Sequence, residues 1–302
     1  MLNQNQRCPG LYCGRTFDNE SWSECGACPR GSRTNASSIC NLCEADPKLY
    51  DWMYLGFMVL LPLVLHWFCV DLVAKRRSFS IQVFILHLSC LFEVGIAAFF
   101  TILWVEPTWS FRVKSCGVVR LADWYTLLHN PTPNYEKALH CTQEAVYPLH
   151  TMGFVFYGLC IVLMLSIRPY LSKKYLPHTG KMAIYYALYF FPILALLHAV
   201  AGGLIYYAFP YITIILSVVS NATHFSFKLD QSMKDLIRSS IADLRNAIII
   251  MGHWIILAYG LLALTIDKGV PHPFVLLTLV PLPAVFYILT SRFTDPNKIH
   301  TD

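Results

Sequence analysis

Long stretches without Asp, Glu, Lys or Arg constrain this chain more than any other feature. They run over residues 52–70, 78–92, 94–105, 145–167, 182–227, 246–266 and 269–291, with Glu93 the sole charge between the second and third. A helix crossing a hydrocarbon core of about 30 Å needs about 20 apolar residues, and it must satisfy its own backbone polar groups there. Only 14% of the residues are charged, against about 25% in soluble domains. The sequence predicts an all-α polytopic membrane protein.

The stretch 182–227 is too long for one crossing, and Pro210 is a poor helix-interior residue but a good turn residue. Splitting it there predicts seven transmembrane helices, at about 54–74, 81–104, 147–167, 182–207, 211–227, 247–265 and 271–290. Residues 1–53 form a cysteine-rich head, 54–290 the bundle and 291–302 a tail. The bundle carries a long loop at 105–146 and an amphipathic segment at 228–246. With the N-terminus outside, the segments 75–80, 168–181, 228–246 and 291–302 lie inside and carry 13 of the 23 Lys and Arg residues. Positive charge favours the cytosolic side, so the N-terminus is expected in the lumen or outside the cell and the C-terminus in the cytosol. Residues 1–7 are polar and show no cleavable signal peptide. The first span is expected to serve as its own membrane signal. No basic run interleaved with aromatics points to nucleic acid.

The head contains Cys8, Cys13, Cys25, Cys28, Cys40 and Cys43. The spacing Cys25-x2-Cys28 and Cys40-x2-Cys43 also suits a four-thiolate zinc site. Two facts favour three disulfides. The expected topology places the head where disulfides persist, and the head holds two glycosylation acceptors, Asn19 and Asn35, in Asn-x-Ser sequons. A head of this size has too little core to fold without staples. In the loop 105–146, a bond between Cys116 and Cys141 is expected, and the aromatics Trp109, Trp124, Tyr125 and Tyr135 suggest a packed cap. Cys69, Cys90 and Cys160 fall inside spans and read as small apolar residues.

An ionisable residue at membrane depth is a functional candidate by default. Glu93 is such a residue, with His66, His198 and His253 as candidate intramembrane partners. A protonated Glu93 acting as hydrogen-bonded packing is the competing reading. Metalloprotease, nucleophile-elbow, nucleotide-loop and paired-aspartate signatures are not found, so no catalytic residue, cofactor or metal is assigned. In 228–246, Met233, Leu236, Ile237, Ile241 and Leu244 recur at helical spacing. That pattern fits a helix packed on the bundle or at the lipid surface before it fits a partner-binding helix. Lys75-Arg76-Arg77 followed by aliphatics loosely fits a kinase-docking motif, but those aliphatics are already entering a span.

Several runs resemble the JNK-associated membrane protein family (JAMP). They include Leu11-Tyr12-Cys13-Gly14, Glu24-Cys25-Gly26-Ala27-Cys28-Pro29-Arg30-Gly31 and Leu61-Pro62-Leu63-Val64-Leu65-His66-Trp67-Phe68. Further along stand Asp123-Trp124-Tyr125-Thr126, His140-Cys141-Thr142, Ala187-Leu188-Tyr189-Phe190-Phe191-Pro192 and Tyr206-Tyr207-Ala208-Phe209-Pro210-Tyr211. The resemblance covers almost the whole chain. It implies a seven-span endoplasmic-reticulum protein, without enzymatic activity, that recruits proteasome subunits and membrane ubiquitin ligases to misfolded proteins and prolongs signalling by a JNK-type kinase. The alternative from topology alone is a cell-surface receptor or transporter with a cysteine-rich ectodomain. Against it, the third span ends without Asp-Arg-Tyr and the seventh lacks Asn-Pro-x-x-Tyr.

Overall fold

The computed structural model describes residues 7–18, 20–74, 80–129, 141–175, 177, 180–228 and 230–294. Asn19, Lys75, Arg76, Arg77 and Tyr135 lie outside the described residues. Among the described residues, seven α-helices follow a small β-rich head. They are α1 (Leu49–Ala74), α2 (Ile81–Trp104), α3 (Leu149–Tyr175), α4 (Gly180–Ser226), α5 (Met233–Ala242), α6 (Leu244–Asp267) and α7 (Leu282–Thr294). Six segments among the described residues are long and apolar enough to cross a membrane: α1, α2, α3, α4, α6 and Phe274–Ser291, which joins a 3-10 turn to α7. The all-α polytopic class follows, with the disulfide-rich strand region at its N-terminus.

The expected break at Pro210 is absent, and both halves of the stretch belong to the 47-residue α4. Proline has no N–H to give the carbonyl four residues back, which here is that of Tyr206. The Tyr50 hydroxyl donates to the Tyr206 carbonyl instead, at 2.8 Å. A side chain from α1 thus replaces the hydrogen bond whose loss the sequence reading took as a helix end.

The chain divides into two compact units, Met1–Tyr206 and Tyr207–Asp302. In the first, the head forms three two-stranded antiparallel ladders. Strands β1 (Cys13–Gly14) and β4 (Gly26–Ala27) pair, as do β2 (Phe17–Asp18) with β3 (Ser21–Trp22) and β5 (Ser32–Thr34) with β6 (Cys40–Leu42). Ladders this short cannot bury a core, and covalent staples take its place. The bonds are Cys8–Cys25, Cys13–Cys141, Cys28–Cys40 and Cys43–Cys116. Disulfides take the place of the zinc alternative, since each of its four sulfurs is oxidised, but the three bonds expected within the head are corrected to two, with Cys13 and Cys43 bonded to the loop instead. The expected Cys116–Cys141 bond is corrected too: each of these cysteines is bonded to the head. A β-carbon at Gly14 would stand 2.5 Å from the Cys40 sulfur and 2.7 Å from that of Cys28, so only glycine fits over that disulfide.

In the second unit, Phe225 near the end of α4, Leu236 of α5, Ile250 of α6 and Ala284 of α7 form one buried cluster. Trp254 and Tyr287 pack against it.

Candidate functional site

Two polar centres organise the first unit, one at membrane depth and one in the cap. The first is built on Glu93 of α2. Ser89 lies four residues earlier, on the same helix face, and its hydroxyl donates to Glu93 Oε1 at 2.5 Å. The charge partner is Arg168 of α3, whose Nη2 meets Glu93 Oε2 and whose Nε lies 3.4 Å from Oε1. Arg168 Nη1 lies 2.8 Å from His66 Nδ1 on α1. A guanidinium only donates, so His66 Nδ1 accepts and the imidazole proton sits on Nε2. The rings of Phe190 and Phe191 close over His66 at 5.0 and 5.3 Å. Each of His66, Glu93 and Arg168 is only 1% exposed. One ion pair and its histidine therefore join three helices.

Of the three histidines expected near Glu93, only His66 enters the centre, and it does so through Arg168. His198 accepts a weak contact from the Tyr54 hydroxyl at 3.4 Å, and its ring lies 4.8 Å from that of His150. His253 lies in the second unit, where its Nδ1 is 3.1 Å from the Ser220 hydroxyl. Arg168 was missed because Arg168-Pro169 looked like a helix end with a cytosolic charge. Pro169 lies inside α3 instead, which runs on through Lys173 and Lys174 to Tyr175. The signal was available: a lone intramembrane acid needs a counter-charge, and Arg168 directly borders a charge-free stretch. Asp71 meets His87 at 3.2 Å.

The second centre is Asp123, 1% exposed. Its Oδ1 accepts from the Tyr12 hydroxyl at 2.9 Å and from Arg33 Nη2 at 2.8 Å. Its Oδ2 accepts the backbone N–H groups of Val119 and Arg120. One carboxylate thus ties the head, through Tyr12 and Arg33, to the loop. Burial, reinforced by the bond to Asp123, holds the Tyr12 phenol well above its usual range. The neighbouring Trp124 turns toward the bundle, its ring centroid 5.4 Å from that of Tyr206 and 5.6 Å from that of Tyr54. A β-carbon at Gly203 would come within 2.7 Å of the Trp124 side chain, so α4 admits the indole only through a glycine. Trp109, by contrast, is 77% exposed.

Asn35 is exposed, and its Oδ1 accepts the N–H groups of Ser37 and Ile39. Asn19 lies outside the described residues. Among the described residues, no group of three or more His, Cys, Asp or Glu is placed to hold a metal ion.

Residues 8–296 match the family described as JNK1/MAPK8-associated membrane protein. The chain is 46% identical to the JNK1/MAPK8-associated membrane proteins of Mus musculus and Homo sapiens, over 97% of its own length and 95% of theirs. It is 32% identical to the Caenorhabditis elegans homolog, over 92% of the chain and 85% of that protein. No solved structure matches it. The chain belongs to the JNK1/MAPK8-associated membrane protein family.

Proposed function

We propose that this chain is a non-enzymatic adaptor of the endoplasmic-reticulum membrane. It associates with a JNK-type kinase and brings proteasome subunits and ubiquitin ligases to misfolded proteins. The match over nearly the whole chain to relatives named for kinase association carries the reading. The intramembrane centre is compatible with it: Glu93 pairs with Arg168, which also reaches His66, and the three residues join three helices. Four disulfides suit a cap in an oxidising compartment. The basic residues suit a cytosolic C-terminus even with Arg168 removed from the count, and this orientation requires the 47-residue α4, about twice the length of a single crossing, to pass the bilayer twice. Proximity labelling from the C-terminus is expected to enrich the kinase, proteasome subunits and membrane ubiquitin ligases. Enrichment of G proteins, or of nothing, overturns the adaptor.

This orientation has its own test. Asn35 presents an exposed sequon in the cap, whereas Asn221, in Asn-Ala-Thr, is 3% exposed within α4. Glycans are expected on Asn19, Asn35 or both, and not on Asn221. Single Asn→Gln variants, run on a gel with and without glycosidase, read this directly. A mobility shift that depends on Asn221 would place that end of α4 in the lumen and with it reverse the C-terminus.

A further inference from the structure

The helix α5 leaves part of its apolar surface uncovered. Its Leu236 is fully buried against Phe225, Ile250 and Ala284. Successive residues turn by about 100°, so Met233, Ile237 and Ile241 form a stripe beside Leu236 that does not enter this cluster. They are 40%, 44% and 78% exposed. The next strip around the helix, on the side away from the bundle, holds the exposed Lys234 and Arg238. Asp235 falls further round, where it accepts the Ser232 hydroxyl at 2.9 Å at the helix start. The order around α5 is therefore protein core, uncovered aliphatics, cations, then polar surface.

The position of α5 is fixed. The Gln231 amide bonds the carbonyls of Phe225 and Lys228 just ahead of it. Asn246 reaches back from α6 to the Ser239 carbonyl at 3.3 Å and to Asp243 Oδ2 at 2.9 Å. Asp243 both ends α5 and caps α6. Because α6, which is long and apolar enough to cross a membrane, starts at Leu244, the C-terminal end of α5 is held covalently beside a segment suited to the bilayer.

We propose that α5 is an interfacial lipid-binding helix. Its Met233–Ile237–Ile241 stripe lies in the acyl boundary, and Lys234 and Arg238 lie on the phosphodiester layer. The medium next to the start of α6 is lipid, which needs no second protein to cover the stripe. Cations flanking an apolar stripe on its solvent side suit headgroup phosphates, with their aliphatic stems following the stripe inward. The assignment holds for either leaflet and is independent of the adaptor reading.

The test uses the full chain in nanodiscs of phosphatidylcholine and phosphatidylserine, with no other protein. An environment-sensitive fluorophore is placed at Ile237→Cys or at Ala242→Cys, which lies on the opposite side of α5. Nitroxide-labelled acyl chains are expected to quench the label at 237 several-fold more than the label at 242, and aqueous iodide the reverse. Lys234→Gln with Arg238→Gln is expected to make the nitroxide quenching at 237 weaker and to remove its dependence on salt, while leaving helical circular dichroism unchanged. Equal iodide quenching at both positions overturns the proposal. Protection of 237 from both quenchers also overturns it, and would assign the stripe to a second protein surface.

Discussion

Glu93→Gln is expected to destabilise this protein severely, although it keeps the size and hydrogen-bonding capacity of the side chain. The amide can still accept from Ser89 and Arg168, but it carries no charge to balance the guanidinium. Removing one member of a buried ion pair costs about 3–5 kcal/mol, because the other is left as an uncompensated buried charge. Arg168→Met should cost a similar amount and also strip His66 Nδ1 of its donor. The double variant Glu93→Gln/Arg168→Met removes both charges and is expected to recover most of the lost stability, since apolar replacement of a whole pair is often neutral. Thermal unfolding in detergent and cellular half-life provide the measurements. Were Glu93 the neutral packing residue that the sequence also allowed, Glu93→Gln would be near wild type and the double variant would be no better than Arg168→Met alone.

That reversal marks where the sequence was legible. Charge-free stretches report on the medium that a helix meets, and the spans were accordingly readable to within a few residues at most ends. Pairing between helices leaves no local trace. Arg168 and Glu93 are 75 positions apart, and nothing around either names the other. The same limit applies to Pro210, whose effect on α4 depends on a tyrosine 160 positions earlier in sequence. Composition in the head pointed to disulfides, but the choice of partners depends on how the loop after α2 folds back. The Asp123 centre was visible only as part of a family-like run, because an acid in a polar loop is unremarkable until Tyr12 and Arg33 are seen to converge on it. The uncovered stripe of α5 is the opposite case, since its periodicity was plain and the structure decided which of its apolar residues reach the core.

The second large effect is expected in the cap. Cys13–Cys141 closes a sequence separation of 128 and Cys43–Cys116 one of 73, whereas Cys8–Cys25 and Cys28–Cys40 span 17 and 12. In the chain-entropy picture, a bond across the longest of these contributes up to about 5 kcal/mol, against about 3 kcal/mol for the shortest. Inserted α1 and α2 already hold the loop near the head, which lowers the first figure, yet the long bonds do something that the short ones do not. They keep Tyr12 and Arg33 on Asp123, and through Trp124 they keep the cap against the bundle. Cys13→Ser/Cys141→Ser should therefore expose the loop 105–129 to limited proteolysis and lower the thermal midpoint further than Cys8→Ser/Cys25→Ser. Peptide mapping without reduction separates the two pairing schemes. Cleavage between head and loop should leave the Cys13 peptide attached to the Cys141 peptide and the Cys43 peptide attached to the Cys116 peptide. A Cys116–Cys141 peptide would restore the pairing expected from sequence and detach the head from the cap.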